Sequence, residues 1–245
     1  YLQTLKCMKP DLEASVPDCV HCSKRFSSVF CRAEVENLRV VNEHKVCSVY
    51  KKGQMIFNEG NYAFGLFCIN AGKLKISRNG DDGREVILRL AKPGDIIGYK
   101  ALLTNDKYSA SAVALDDCNV CFIPKDLFLK ILKSDSSLSI ELMRMLSAEL
   151  GKVETKLTHL AQKPVRERLA ETLLFIKETY GLEADGQTIN AKLSREEIAN
   201  IVGTATESAI RLLSEFRKDG IIELDGKSIR ITNPDKLVRT ANLQD

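Results

Sequence analysis

Three of the eight cysteines fall within thirteen residues, at Cys19, Cys22 and Cys31; the others are Cys7, Cys47, Cys68, Cys118 and Cys121. Thiolates are soft ligands, so cysteines bunched in this way point to metal binding or to redox sensing. Four of them could hold an iron–sulfur cluster. They could equally hold tetrahedral zinc, since Cys19-Val-His-Cys22 is half of a zinc knuckle. No secretory pattern opens the sequence, so the expected compartment is the reducing cytoplasm, where lasting disulfides are rare. Cys47, Cys68 and Cys118 sit in apolar strand contexts and read as small core residues. His21, His44 and His159 fall in three separate segments and read as solvated or structural. No Gly-x-Gly-x-x-Gly, P-loop or His-Glu-x-x-His pattern is present, and no base pairs with a thiol, so the chain is not expected to be an enzyme.

A second chemistry sits near the C-terminus. Ser194-Arg-Glu-Glu197 is a capping box that starts a helix over 195–202, and Gly203 suits the tight turn after it. Thr204–Glu207 opens a further helix running to Lys218. Strands over 221–224 and 228–232 follow, joined through Asp225-Gly226, a hairpin signal. Helix, glycine turn, helix and hairpin make a winged helix-turn-helix, whose second helix enters the major groove of double-stranded DNA. Its first turns carry Thr206, Glu207, Ser208, Ile210 and Arg211. Arg211 can donate twice to guanine, Glu207 can accept from cytosine, and Thr206 can meet a thymine methyl. Ser194, Arg195, Ser208 and Lys227 are candidate phosphate contacts. From Ala191 to Asp245 there are nine basic and nine acidic residues, so attraction to DNA rests on their arrangement.

The elements that must position these groups read as α+β. Short apolar runs between glycines from about Tyr50 to Leu132 predict an all-β roll, with Asn79–Gly83 as a hairpin turn. A long helix is predicted from Ser136 to Gln162. Leu142, Leu146, Leu150, Val153, Leu157 and Leu160 give it a coiled-coil seam, read as a homodimer interface. Pro164 breaks it. The expected units are a cysteine-bearing arm (1–31), a β-roll sensor (32–133), a dimerisation helix (134–163) and a winged helix-turn-helix (164–245). The 245 residues carry a net charge of +3, too mild to announce nucleic acid by itself. No apolar run approaches the roughly 18 residues of a membrane span, so no membrane partner is expected.

Over about residues 48–235 the chain resembles the CRP/FNR family of bacterial transcription regulators. The most specific match is Leu193–Leu213, followed by Gly220 and Asp225–Ile229. The resemblance implies a β-roll, a dimer helix and a winged helix. It also implies an inverted-repeat DNA site with one half per subunit, and contacts to RNA polymerase. The family's base-reading Glu-x-x-x-Arg falls on Glu207 and Arg211. The family's cyclic AMP pocket uses a Gly-Glu pair and an arginine, but here those stretches read Gly98-Tyr99 and Tyr108-Ser109, which argues against cyclic AMP. The β-roll would then bind another small effector or none. Val120-Cys121-Phe-Ile-Pro124 resembles a segment of the FNR branch, in which one such cysteine and three N-terminal ones hold a 4Fe–4S cluster. That resemblance assigns the metal ligands to Cys19, Cys22, Cys31 and Cys121, with Cys7, Cys118 or His21 as substitutes. It also makes oxygen or redox state the expected signal. The gap from Cys22 to Cys31 is longer than the branch's usual five residues, and zinc or a thiol switch remains the alternative.

Overall fold

The turn after Asn79 folds strand β4 (Leu74–Asn79) back on β5 (Glu85–Ala91), with Leu74 opposite Ala91 and Asn79 opposite Glu85. Leu74 is fully buried and Ile76 half-buried on the core face, and an irregularity between Ile76 and Ser77 brings Ser77 inward as well. Around the hairpin, a computed structural model describes residues 17–81 and 83–242. Two short 3-10 turns, Ser23–Ser27 and Val29–Arg32, end the arm, and α1 (Val35–His44) follows.

The β-roll has two antiparallel four-stranded sheets. One holds β1 (Val46–Tyr50), β8 (Cys118–Pro124), β3 (Gly65–Ala71) and β6 (Ile96–Ile97), in that order. The other runs β2 (Met55–Phe57), β7 (Ser111–Ala114), β4 and β5. Leu66, Ile69, Leu74, Ala112 and Val120 join the two sheets in one core. Helix α2 (Tyr99–Thr104) lies within the roll, and α3 (Lys125–Ser134) leads out of it.

Helix α4 (Ser136–Gln162) is capped by Asp135, which is fully buried. Its carboxylate accepts from the backbone N–H groups of Leu138 at 3.0 Å and Glu34 at 2.9 Å, and from Asn37 at 3.1 Å. These bonds hold the carboxyl below its ordinary value although burial pushes the other way. Beyond Pro164 lie α5 (Val165–Tyr180), α6 (Arg195–Val202), α7 (Thr206–Lys218), β9 (Ile222–Asp225), β10 (Ser228–Ile231) and α8 (Pro234–Ala241). Leu169, Leu173, Ile198, Leu213, Phe216 and Leu237 form their core.

The α+β class and the winged helix are as the sequence indicates. Helices α1, α2, α3 and α8 are additional to it, α7 starts at Thr206, and the wing strands begin or end one residue away from expectation. The winged helix also packs on its own β-roll. Ile87 and Leu90 of β5 belong to its core cluster, and the Tyr180 hydroxyl donates to the Leu74 carbonyl at 3.0 Å. Lys75 reaches Glu85 at 2.8 Å and Glu197 at 3.3 Å, while Lys73 donates to Asn190 at 3.0 Å.

Candidate functional site

The capping box of α6 is complete. Ser194 Oγ accepts from the Glu197 N–H at 3.0 Å, and the Glu197 carboxylate accepts from the Ser194 N–H at 2.8 Å. Gly203 then adopts φ 73°, a left-handed turn that an L side chain would strain. Arg168 staples this turn to the long helix, donating to the carbonyls of Val202 at 3.2 Å, Lys163 at 2.9 Å and Gly203 at 3.3 Å.

Helix α7 buries Ala209, Leu212, Leu213 and Phe216 and turns its other face outward. Glu207, Ile210 and Arg211 are exposed, and Thr206 and Ser208 half-exposed. The Arg211 guanidinium rests on Glu215 at 2.7 Å. Glu215 in turn takes Arg166 at 3.1 Å, and Arg166 also holds Asp219 at 2.6 Å while lying over the Phe216 ring. Among the candidate phosphate contacts, Arg195 donates to the Gly226 carbonyl at 2.9 Å and keeps a second, buried guanidinium nitrogen unpartnered. Ser194 and Lys227 line a cleft of about 270 Å³ between wing and β-roll, together with Lys52, Lys75 and Lys192. Arg166 and the Lys75 contacts were not legible as site residues, because each depends on a partner far away in sequence.

The seam on α4 divides along its length into a buried and an exposed part. Leu142 is 3% exposed and sits in the β-roll core, so it is corrected from a dimer contact to a core residue, while Leu146 packs against that core only partly buried. The apolar core of the β-roll takes in only the first turns of the seam, while polar contacts from Glu149 and Lys156 reach the roll farther along, and an amphipathic stripe does not name its partner. Leu150, Val153, Leu157 and Leu160 are exposed, as are Ile140 and Met143. His159, read as structural, pairs with Glu171 at 2.6 Å.

Inside the roll, Tyr99 and Tyr108 are both buried. Tyr108 stacks on Phe57 with ring centres 4.0 Å apart, and Phe67 lies 5.6 Å from Phe57 and 5.1 Å from Phe122. Burial pushes the Tyr108 hydroxyl up to about 12. The Tyr99 hydroxyl donates to Glu149 of α4, which also pairs with Arg89. Aromatic rings therefore occupy this interior, and neither tyrosine offers a charge to a nucleotide.

The thiols lie on the opposite face of the β1-β8-β3-β6 sheet, under the arm. Cys19, Cys22, Cys68 and Cys121 line one cavity of about 60 Å³. Cys121 stands directly opposite Cys68 on one side and Cys47 on the other, and it is disulfide-bonded to Cys47. Cys31 does not line this cavity; its turn packs toward α4. Among the described residues no group of three or more His, Cys, Asp or Glu is gathered to hold a metal. The set Cys19, Cys22, Cys31 and Cys121 is therefore not assembled, for two reasons: Cys31 lies outside the cavity, and Cys121 is tied to Cys47. Cys47 and Cys68, read as plain core residues, belong instead to this cross-strand row. Burial pushes the Cys19 and Cys68 thiols up, so both are protonated as they stand. Cys118 is fully buried with its thiol on the Lys73 carbonyl at 3.3 Å. His21 is exposed and pairs with Asp18, while Cys7 lies outside the described residues.

The family comparisons agree with this architecture. Residues 48–135 match the cyclic nucleotide-binding domain, and residues 167–240 match the Crp-like helix-turn-helix domain. The "Anaerobic regulatory protein" of Bacillus subtilis is 33% identical over 177 residues, covering 71% of this chain and 74% of that protein. The "CRP-like cAMP-activated global transcriptional regulator" of Mycobacterium tuberculosis is 29% identical over 193 residues, covering 78% and 86%. The solved structure of FixK2 from Bradyrhizobium japonicum superposes with a TM-score of 0.73 at 23% identity, covering 82% of this chain and 99% of that one. No described helix is long and apolar enough to cross a membrane. With its exposed recognition helix, its roll-helix-wing order and these matches, the chain belongs to the CRP/FNR family of DNA-binding transcription regulators, and it is not an enzyme.

Proposed function

We propose that the protein acts as a homodimer on an inverted-repeat duplex, one half-site per α7, with its binding set by oxygen or redox state through the thiols under the arm. The observation that carries the DNA reading is the outward face of α7, where Glu207 and Arg211 stand exposed on a helix whose other face is buried. The exposed Leu150, Val153 and Leu157 on α4 support pairing with a second copy, since apolar side chains in such a row favour burial. RNA polymerase is the further partner that family membership suggests.

Redox sensing is supported by the name of the Bacillus relative and by the gathered cysteines. A 4Fe–4S cluster is the expected cofactor. The described residues do not gather its ligands: Cys19, Cys22 and Cys121 share a cavity, but Cys121 is bonded to Cys47 and Cys31 lies outside. Such a cluster, when bound, supplies oxygen-labile electron chemistry. The chain's own residues supply apolar walls, from Phe30, Leu38 and Ile69. The Cys47–Cys121 bond supports a second reading, a thiol switch with no cluster. Cyclic AMP is disfavoured by the aromatic filling of the roll; an effector of other chemistry remains the alternative for that interior.

A gel shift on an inverted-repeat duplex, with and without air and across salt concentrations, tests the proposal. Specific, salt-sensitive retardation that depends on oxidation state is expected. No specific retardation under either condition overturns it.

A further inference from the structure

Beyond its buried first turns, α4 is fastened to the β-roll by two polar side chains that share one face. Glu149 and Lys156 stand two helical turns apart, so they point the same way. Both reach β5: the Glu149 carboxylate pairs with Arg89, and the Lys156 ammonium donates to the Ile87 carbonyl at 3.3 Å. Leu150, Val153 and Leu157 of the seam stand exposed between and beside them. Whatever holds Glu149 therefore sets the direction in which the exposed seam is presented.

The holder comes from inside the roll. Tyr99, the first residue of α2, is 2% exposed, and its hydroxyl donates to the Glu149 carboxylate. Gly98 before it adopts φ 85°, and a Cβ there would lie 3.3 Å from the Tyr108 ring, so a glycine lets α2 start this deep. Arg89 completes the group, with its guanidinium 3.4 Å from the Tyr99 oxygen and 3.5 Å from Asp95. Burial and the Glu149 carboxylate both push the Tyr99 hydroxyl up, so it remains a proton donor at neutral pH. A hydrogen bond to an ionised group is of the stronger kind, and this one joins two elements far apart in sequence. The rings of Phe57, Phe67 and Tyr108 occupy the neighbouring interior.

An effector biases a two-state element by touching it in one state and not in the other. The Tyr99 side chain makes such a contact from within the chain. We propose that Tyr99 is a built-in effector: through Glu149 it positions the α4 seam for pairing, so that the two α7 helices meet DNA with no small molecule in the roll. Tyr99 is a positioning residue, and Arg89 keeps the carboxylate in its reach. This inference rests on the reading of the chain as a paired DNA binder, and it removes the need for a separate effector of the roll.

The test uses the full chain and Tyr99→Phe, which deletes one oxygen and keeps the buried ring. Hydrogen exchange of the α4 amides from Glu149 to Lys156 should quicken, and light scattering should show weaker pairing on dilution. Binding to the inverted-repeat duplex should weaken roughly tenfold, as for an ordinary coupling between two sites. Glu149→Ala should do the same, and Tyr99→Phe added to Glu149→Ala should cost nothing further, because the two groups act as one unit. Equal losses from Tyr99→Phe with and without Glu149 would make Tyr99 a packing residue and overturn the inference. Unchanged exchange and binding in Tyr99→Phe would overturn it too. Native mass spectrometry of the duplex-binding protein should find no organic molecule carried with it; one whose removal abolishes binding would sink the proposal. A parent chain that binds no duplex defeats the DNA reading, and exchange in α4 then decides by itself whether Tyr99 positions the helix.

Discussion

Lys75 on β4 and Glu197 on α6 lie 3.3 Å apart, tying the β-roll to the capping box of the helix beneath the recognition helix. The same ammonium holds Glu85 at 2.8 Å, and Asn200 of α6 donates to that carboxylate at 3.4 Å. Lys75→Ala leaves two carboxylates facing each other across this junction. Hydrogen exchange in α6 should quicken, and stability should fall by about 1–3 kcal/mol. Unchanged exchange in α6 would show that the contact does not hold the two units together.

The same junction carries a pH dependence. Burial alone would raise the Glu85 carboxyl, but hydrogen bonds from Lys75, Ser77 and Asn200 hold it below its ordinary 4.5. A folded value lower than the unfolded one gives stabilisation that is present above the unfolded value and lost as pH falls through the folded one. Protection of α6 amides should therefore be constant from neutral pH to about 5 and decline below 4.5. In Glu85→Gln this decline should be smaller.

Leu142 and Leu150 separate stability from assembly. Leu142→Ala removes a core side chain and should cost about 2–5 kcal/mol in thermal unfolding, leaving the oligomeric state unchanged. Leu150→Glu places a charge on an exposed stripe and should leave the fold's stability nearly intact. Light scattering should then report a monomer, and binding to the inverted repeat should weaken by more than tenfold.

Arg211 rests on Glu215 through one guanidinium nitrogen and leaves the rest of its exposed fork for the proposed base contact. Arg211→Ala should weaken specific binding roughly tenfold to a hundredfold, equivalent to about 1–3 kcal/mol, with little change on random duplex. Equal losses on both duplexes would make Arg211 a phosphate contact.

Tyr108 and Phe57 occupy the interior where the family holds cyclic AMP. Titration with labelled cyclic AMP to millimolar concentration should give no saturable binding and no change in the gel shift. Micromolar binding would mean that the stacked rings part.

The local patterns were legible in the sequence. The α4 bounds, the capping box, the glycine turn and the Asp225-Gly226 hairpin all follow from near-neighbour chemistry. What the sequence hid is non-local. Alternation tells which face of β3 or β8 a cysteine takes, but not that Cys68 meets Cys121 in register. The apolar spacing on α4 marks a stripe, yet the docked β-roll decides that Leu142 turns inward while Leu150 stays out. The filling of the roll by Tyr108 was readable as a lost arginine, but its stacking on Phe57 was not.

The segment from Arg32 to Asn37 is fastened to the head of α4 at two places, by Arg32 on Glu141 at 3.4 Å and by the Asp135 carboxylate. The lid over the sulfurs and the long shaft are thus rigged to one another by a short tether. Any swelling or collapse beneath the lid must either break these moorings or tilt the shaft's first turns. A chemical event at the sheet would thereby be felt as leverage at the far end, where Arg168 grips the glycine turn.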